Sequence, residues 1–439
     1  MKNIIITFLF LFTILSVCSQ DVEQEYKKIK KGWNFGVLPV VGYNSDLGFQ
    51  YGGLINLYNY GDGSQFPKYK HSIFLEISRY TKGSGVFRLF YDTEYLIPKI
   101  RFTSDIIYLP EQTMDFYGFN GYEAVYNRNF TDDSSSDYKS RVFYNHSRNF
   151  LRLKFDLRGK TFLKNFDWIF GYRFMNVKVG SVPIDKLNKG KSQNDKLPDV
   201  PGLYDKYVEW GIISQGEADG GLSNNLKVGI IYDTRDNEPN PMKGMWSEIV
   251  LLNSFNKDFI FGKLSVTHRQ YFTIIPVKLS FAYRLGYQGI IYGDAPFYLL
   301  PYMAFSYMPV ANFDGLGGSK TVRGMIRDRV VADGVAFGNF EFRYKFWHFD
   351  FINQHWYVAF NPFLDAGITT QKKKLDLSRV SDDEFYKYFD PGAESMHLTY
   401  GGGLHIAMNE NFVIAAEVGM PVKKSDGGLR VYIGMNWLF

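Results

Sequence analysis

Period-two alternation, repeated along almost the whole chain, is the feature that most restricts the fold. In "NFLRLKFDLRGK", Leu151, Leu153, Phe155 and Leu157 share one face, and Arg152, Lys154, Asp156 and Arg158 share the other. "FDWIFGYRF" sets Phe166, Trp168, Phe170, Tyr172 and Phe174 against Asp167 and Arg173. "VKLSFAYRLGYQG" and "LRVYIGMNWLF" behave likewise, the last with Val431, Ile433, Met435, Trp437 and Phe439 on its apolar face. Strict alternation specifies strands with two unlike faces. About sixteen such segments occur, beginning near Asn34, Gly48, Lys70, Gly85, Lys99, Arg148, Leu163, Leu226, Gly244, Phe261, Val277, Val335, Trp356, Leu398, Asn411 and Gly428. Each is roughly nine to fifteen residues, the length a tilted strand needs to cross a bilayer.

The connections sort by parity. Links after even-numbered strands are mostly short, as in "IPK" at 97–99, "IP" at 275–276 and "NE" at 409–410. The four long links, near 111–147, 179–224, 292–330 and 368–396, all follow odd-numbered strands. Short turns on one side and long loops on the other mark a transmembrane antiparallel β-barrel, with the turns facing the periplasm. The fold class expected is therefore all-β, a barrel of about 16 strands. Its aromatic face meets outer-membrane lipid and its charged face lines the lumen. An aromatic share of 18% fits this better than it fits a soluble sandwich or propeller.

The start of the chain, "MKNIIITFLFLFTILSVCSQ", reads as a secretory signal peptide over 1–19, cut near Ser19. Acylation of Cys18, the one cysteine, is the alternative; Val17 before it is not the small residue preferred there. Residues 20–33 then form a short periplasmic segment and 34–439 the barrel. A net charge of +5 without a basic stripe excludes nucleic acid as a partner.

No catalytic set, metal site or cofactor is expected, and the chain does not read as an enzyme. Ser265 and His268 fall on opposite strand faces. His397 and His405 share a face but stand roughly 27 Å apart along an extended strand. The run "GLGGSKTVRGMIRD", Gly315 to Asp328, offers Lys320 and Arg323 in a glycine-rich loop. A phosphate cradle would need a helix beside it, and the sequence provides none.

That loop carries a resemblance. "TVRGM", with Val322, Arg323, Gly324 and Met325, resembles the Val-Arg-Gly-aromatic signature of the BamA/TamA superfamily of outer-membrane barrels. "YDTRDNEPNPMKGMW" (Tyr232 to Trp246), "GNFEFRYKF" (Gly338 to Phe346) and "FLDAG" (Phe363 to Gly367) are similar to three further motifs of that family, in the same order. Met325 departs from the family's Phe or Tyr. The resemblance covers Leu226 to Phe439 well, and the first half in strand pattern alone. It implies that loop 292–330 folds into the lumen. With Phe340, Phe342, Tyr344 and Phe346 outward, Asn339, Glu341, Arg343 and Lys345 point inward. With Trp356, Val358, Phe360 and Leu364 outward, Asn361 and Asp365 point inward. A lumen latch of Arg323, Glu341 and Asp365 is the expected site, the guanidinium fork suiting carboxylates.

The resemblance also implies an outer-membrane location in a Gram-negative bacterium and a role in inserting or translocating outer-membrane proteins. Partners would be assembly-complex components and unfolded clients. Family members that insert barrels use a weak seam between first and last strands. Here Pro39, which removes a ladder donor, and Gly434 are candidates, although Pro39 would equally serve to end a short first strand. Trp437 and Phe439 look like the C-terminal signal for barrel insertion. The stretch "QDVEQEYKKIKKGW" has no room for the family's periplasmic POTRA modules, so an accessory role is expected. A passive channel and a loop-based receptor are the alternatives.

Overall fold

The computed structural model describes residues 30–439 apart from 65–68, 239, 306–313, 352–353, 409–411 and 436. The signal-peptide reading, most of segment 20–33 and the middle of loop 292–330 lie outside the described residues. Sixteen strands run in order: β1 Trp33–Asn44, β2 Gly48–Asn59, β3 His71–Tyr80, β4 Gly85–Ile97, β5 Ile100–Asp115, β6 Asn145–Lys160, β7 Phe166–Gly180 and β8 Gly220–Asp233. They continue as β9 Gly244–Phe255, β10 Ile260–Ile275, β11 Leu279–Gly293, β12 Gly334–Phe351, β13 Gln354–Gln371, β14 His397–Met408, β15 Phe412–Pro421 and β16 Arg430–Met435. Each pairs antiparallel with its sequence neighbours, and β1 meets β16, so the sheet closes into a barrel. Among the described residues no helix is long and apolar enough to cross a membrane.

Alternation assigns the faces. On β12, Phe342, Tyr344 and Phe346 stay nearly half exposed, whereas Glu341 and Arg343 are at most 1% exposed. A soluble protein buries the first set and exposes the second. This inversion is that of a lipid-facing barrel with a polar interior.

Strand onsets match the sequence reading within a few residues, with the largest difference at β8. It begins at Gly220 rather than near Leu226, and Gly220, with φ +80, starts it by pairing with Lys178. The four long links do follow odd strands, β5, β7, β11 and β13.

These links pack together over the extracellular mouth. Phe116, Phe119, Phe130, Phe143 and Tyr144 of 116–144 join Tyr204, Tyr207 and Trp210 of 181–219, Phe297 and Tyr298 of 294–305, and Tyr388 and Phe389 of 372–396 in one buried cluster. Edge-on ring pairs such as Phe116–Tyr207, with centroids 5.2 Å apart, recur through it. Much of the aromatic excess thus builds a cap rather than a lipid belt. Arg329 pins the cap: it donates to the carbonyls of Gly121 (2.8 Å), Ala124 (3.0 Å) and Ser425 (3.0 Å). Charge-assisted bonds of this kind stabilise by roughly 1.5–3 kcal/mol each. Arg329→Ala is expected to speed trypsin cleavage within the cap in intact outer-membrane vesicles, read by limited proteolysis; an unchanged digest would refute the pin.

Candidate functional site

Loop 294–333 returns into the barrel. Leu316 and Val330 exchange backbone hydrogen bonds at 3.0 and 3.2 Å, and Gly318 N donates to Met325 O at 2.9 Å. Val322 and Met325 are fully buried with Met303, Phe305, Leu316, Val330, Ala332, Val335 and Phe337. The flexible thioether fills the place where the related signature has a ring.

Between them Arg323 points at three strands. Its Nε and Nη2 meet Asp365 Oδ2 and Oδ1 of β13 at 2.9 and 3.0 Å, and its backbone N–H donates to the same Oδ2 at 2.9 Å. Nη1 reaches Glu341 Oε2 of β12 at 2.9 Å and Glu417 Oε1 of β15 at 2.8 Å. The guanidinium lies 3.7 Å from the ring centroid of Phe363. Burial works against its charge; Asp365, Glu417 and Glu341 outweigh that and hold its pKa well above the ordinary value. Asn361 Nδ2 bridges Glu341 (3.3 Å) and Glu417 (3.1 Å). The spacing that places Glu341 and Asp365 inward on adjacent strands is read directly from the alternation. Glu417, Phe363 and the bridging role of Asn361 were not foreseen. Glu417 had a signal: "FVIAAEVGM" puts it on the lumen face of β15.

Glycine makes the approach possible. Gly324 has φ +90, and a Cβ there would lie 2.6 Å from Met420 N. A Cβ on Gly419 would lie 2.8 Å from both N and Cα of Gly324. Tip backbone and wall backbone therefore touch directly. Gly324 N also donates to Tyr432 Oη of β16 at 3.2 Å.

The C-terminal residues correct an expectation. Trp437 and Phe439 do not continue the lipid face of β16; they are 6% and 9% exposed and lie inside the barrel. The β16 ladder to β15 ends at Met435, opposite Ile414. Among the described residues beyond it, Trp437 and Phe439 meet cationic and aromatic faces. Trp437 stacks on His405 at 3.9 Å, and Arg343 lies over the rings of Trp437 (4.7 Å) and Phe439 (5.1 Å). Arg343 also donates to Phe439 O at 2.7 Å and to Glu341 Oε1 at 2.8 Å.

At the seam, β1 and β16 share two residue pairs among the described residues, Tyr43↔Ile433 and Asn44↔Tyr432. β15 and β16 share six. Pro39 does not end its strand: β1 pairs with β2 without interruption from Trp33↔Asn59 to Asn44↔Gly48. Gly434 faces Ala415 of β15, and a Cβ there would meet nothing within 4 Å. Below the two closing pairs, Phe35, Val37 and Leu38 are exposed, so both faces of β1 are uncovered there.

A closed sixteen-strand barrel with an apolar exterior and an extracellular loop tied to the lumen wall is an outer-membrane β-barrel with an inserted loop. The chain belongs to the Omp85 superfamily, whose domain matches residues 89–437. Like the barrels of that superfamily, it resides in the Gram-negative outer membrane. BamA from Haemophilus ducreyi lacking POTRA domains 1–3 has a similar fold, with TM-score 0.53 and 15% identity over 93% of this chain and 71% of that one. CdiB from Escherichia coli is similar with TM-score 0.51 and 11% identity, over 92% of this chain and 63% of that one. This chain thus spans less than two thirds of CdiB. No curated protein matches by sequence.

Proposed function

We propose that this barrel acts in the insertion or translocation of outer-membrane proteins in the manner of the BamA/TamA branch, as an accessory to an assembly complex. The observation that carries the reading is the seam. Among the described residues two pairs close it at the extracellular end, and the rest of β1 offers an edge to an incoming strand. A client strand can pair with such an edge through main-chain hydrogen bonds at small initial cost. The aromatic cap and the tethered loop weigh against a permanently open pore. Arg323, Glu341, Asp365 and Glu417 serve in this reading as the latch that holds the inserted loop while the seam works.

A disulfide across the closing pair tests the seam. Directly opposed antiparallel residues stand close enough for a disulfide. In the Tyr43→Cys/Ile433→Cys double variant, oxidation is expected to cut delivery of a reporter barrel to the outer membrane at least tenfold, with recovery on reduction. Full delivery by the oxidised protein would sink the insertion reading. Co-purification with barrel-assembly components tests the accessory role, and isolation without them overturns it.

A further inference from the structure

Away from the latch and the seam, one patch of the lumen wall between β4 and β8 gathers cations. Arg88, Arg152, Lys154, Arg173 and Lys227 are buried there beside Asp105 and Asp156, while the other buried carboxylates of these strands, Asp92, Glu111 and Asp167, pair with Arg101, Arg148 and Arg158. Asp105 is engaged through both oxygens and Asp156 through Oδ2, its Oδ1 meeting no hydrogen-bond partner among the described residues. Asp105 binds Arg88 at 3.0 Å and Arg152 at 2.9 Å. Asp156 Oδ2 binds Lys154 at 3.1 Å and Lys227 at 2.8 Å. Gly171 makes room for that second arrangement, since a Cβ there would fall 2.1 Å from Asp156 Oδ1.

Arg173 is left over. It is 3% exposed, and among the described residues no group meets its Nε or Nη2. A buried guanidinium edge without a partner is costly. That edge is the one through which Arg323 grips Asp365. It is a vacant two-pronged seat for an oxyanion. Lys154 is its direct cross-strand neighbour on β6, and Lys227 lies two residues beyond its β8 partner Asn225. Lys154, Lys227 and Arg152 around the open edge favour a doubly charged anion over a single carboxylate. The strands around the site, β4 to β9, each pair with their sequence neighbours and lie away from the β1–β16 seam, so a lipid headgroup has no lateral way in.

We propose that the lumen wall between β5 and β8 binds a small water-soluble phosphate-class oxyanion, seated on the open Nε/Nη2 edge of Arg173 with Lys154 beside it. The site lies on the lumen wall, and its occupant offsets part of the local positive charge.

The test is calorimetric titration of the full barrel in detergent with inorganic phosphate, against acetate and chloride at matched ionic strength. Saturable phosphate binding is expected, at least tenfold weaker in Arg173→Gln and a few-fold weaker in Lys154→Gln. Heat-modifiability on gels establishes that each variant is folded. If Arg173→Gln does not fold, Arg173→Lys takes its place; it keeps the charge and loses the fork, and the same weakening is expected. Wild-type protein that binds no phosphate, binds acetate or chloride as well, or binds phosphate unchanged in the Arg173 variant would overturn the site.

Discussion

Replacing Arg323 with alanine is expected to destabilise the barrel by about 3–5 kcal/mol, the cost of removing one partner from a buried ion cluster. Asp365, Glu341 and Glu417 all lose their shared cation in one step, and Arg343 still touches only Glu341. Three carboxylates around an empty volume repel one another, and the tip of the loop loses its tether. The barrel should unfold at a lower temperature in a heat-modifiability series on gels. Added protease should cut within 315–330, a stretch now buried. A variant with the wild-type unfolding temperature and an intact loop would show that the cluster does not hold the tip. Arg323→Lys keeps the charge but cannot span three carboxylates with a planar fork; it should fall between the two.

Gly419→Val is expected to release the same loop without touching a charge. The added side chain would start 2.8 Å from the N and Cα of Gly324 and 3.1 Å from the carbonyl carbon of Arg323. All three are backbone atoms, so no rotamer change relieves the clash. Either β15 bows outward or the tip lifts, and a lifted tip carries Arg323 away from Asp365. Protease sensitivity of 315–330 should match that of Arg323→Ala while the barrel remains closed. A wild-type digestion pattern would mean that the tip does not rest on this wall. Together the two variants separate the electrostatic contribution from the steric one.

What the alternation revealed, and what it hid, follows from how far each contact reaches. Glu341 and Asp365 were legible because β12 and β13 are neighbours and a period of two fixes which side chains share a face. Glu417 joins them from β15, two strands on, through barrel curvature and a bare stretch of β14; a Cβ on Gly403 would meet Glu417 Cγ at 2.7 Å. Nothing in one strand's pattern reports that closure. The tail misled because "YIGMNWLF" keeps alternating after its ladder has run out. Periodicity records which face a residue would take in a strand, not whether a strand is there. The ring-rich links misled in the opposite sense. Phe116, Tyr207, Trp210 and Phe389 look like lipid contacts by composition, yet they pack edge-on and tilted against one another over the mouth. Arg173 was placed correctly on the lumen face, but that it lacks a carboxylate appears only when each acid has been matched to its bases.

Arg343 gives the molecule an internal line of communication. One of its nitrogens serves Glu341, a carboxylate that also serves Arg323, while another holds the carbonyl of the final residue. Three hydrogen bonds in series, Arg343 to the Phe439 carbonyl, Arg343 to Glu341 and Arg323 to Glu341, therefore join the chain terminus to the inserted loop. Were the terminus to leave the interior, Arg343 would lose the Phe439 carbonyl but keep Glu341 as its partner, so the tail and the loop tip share one electrostatic network without sharing a single bond.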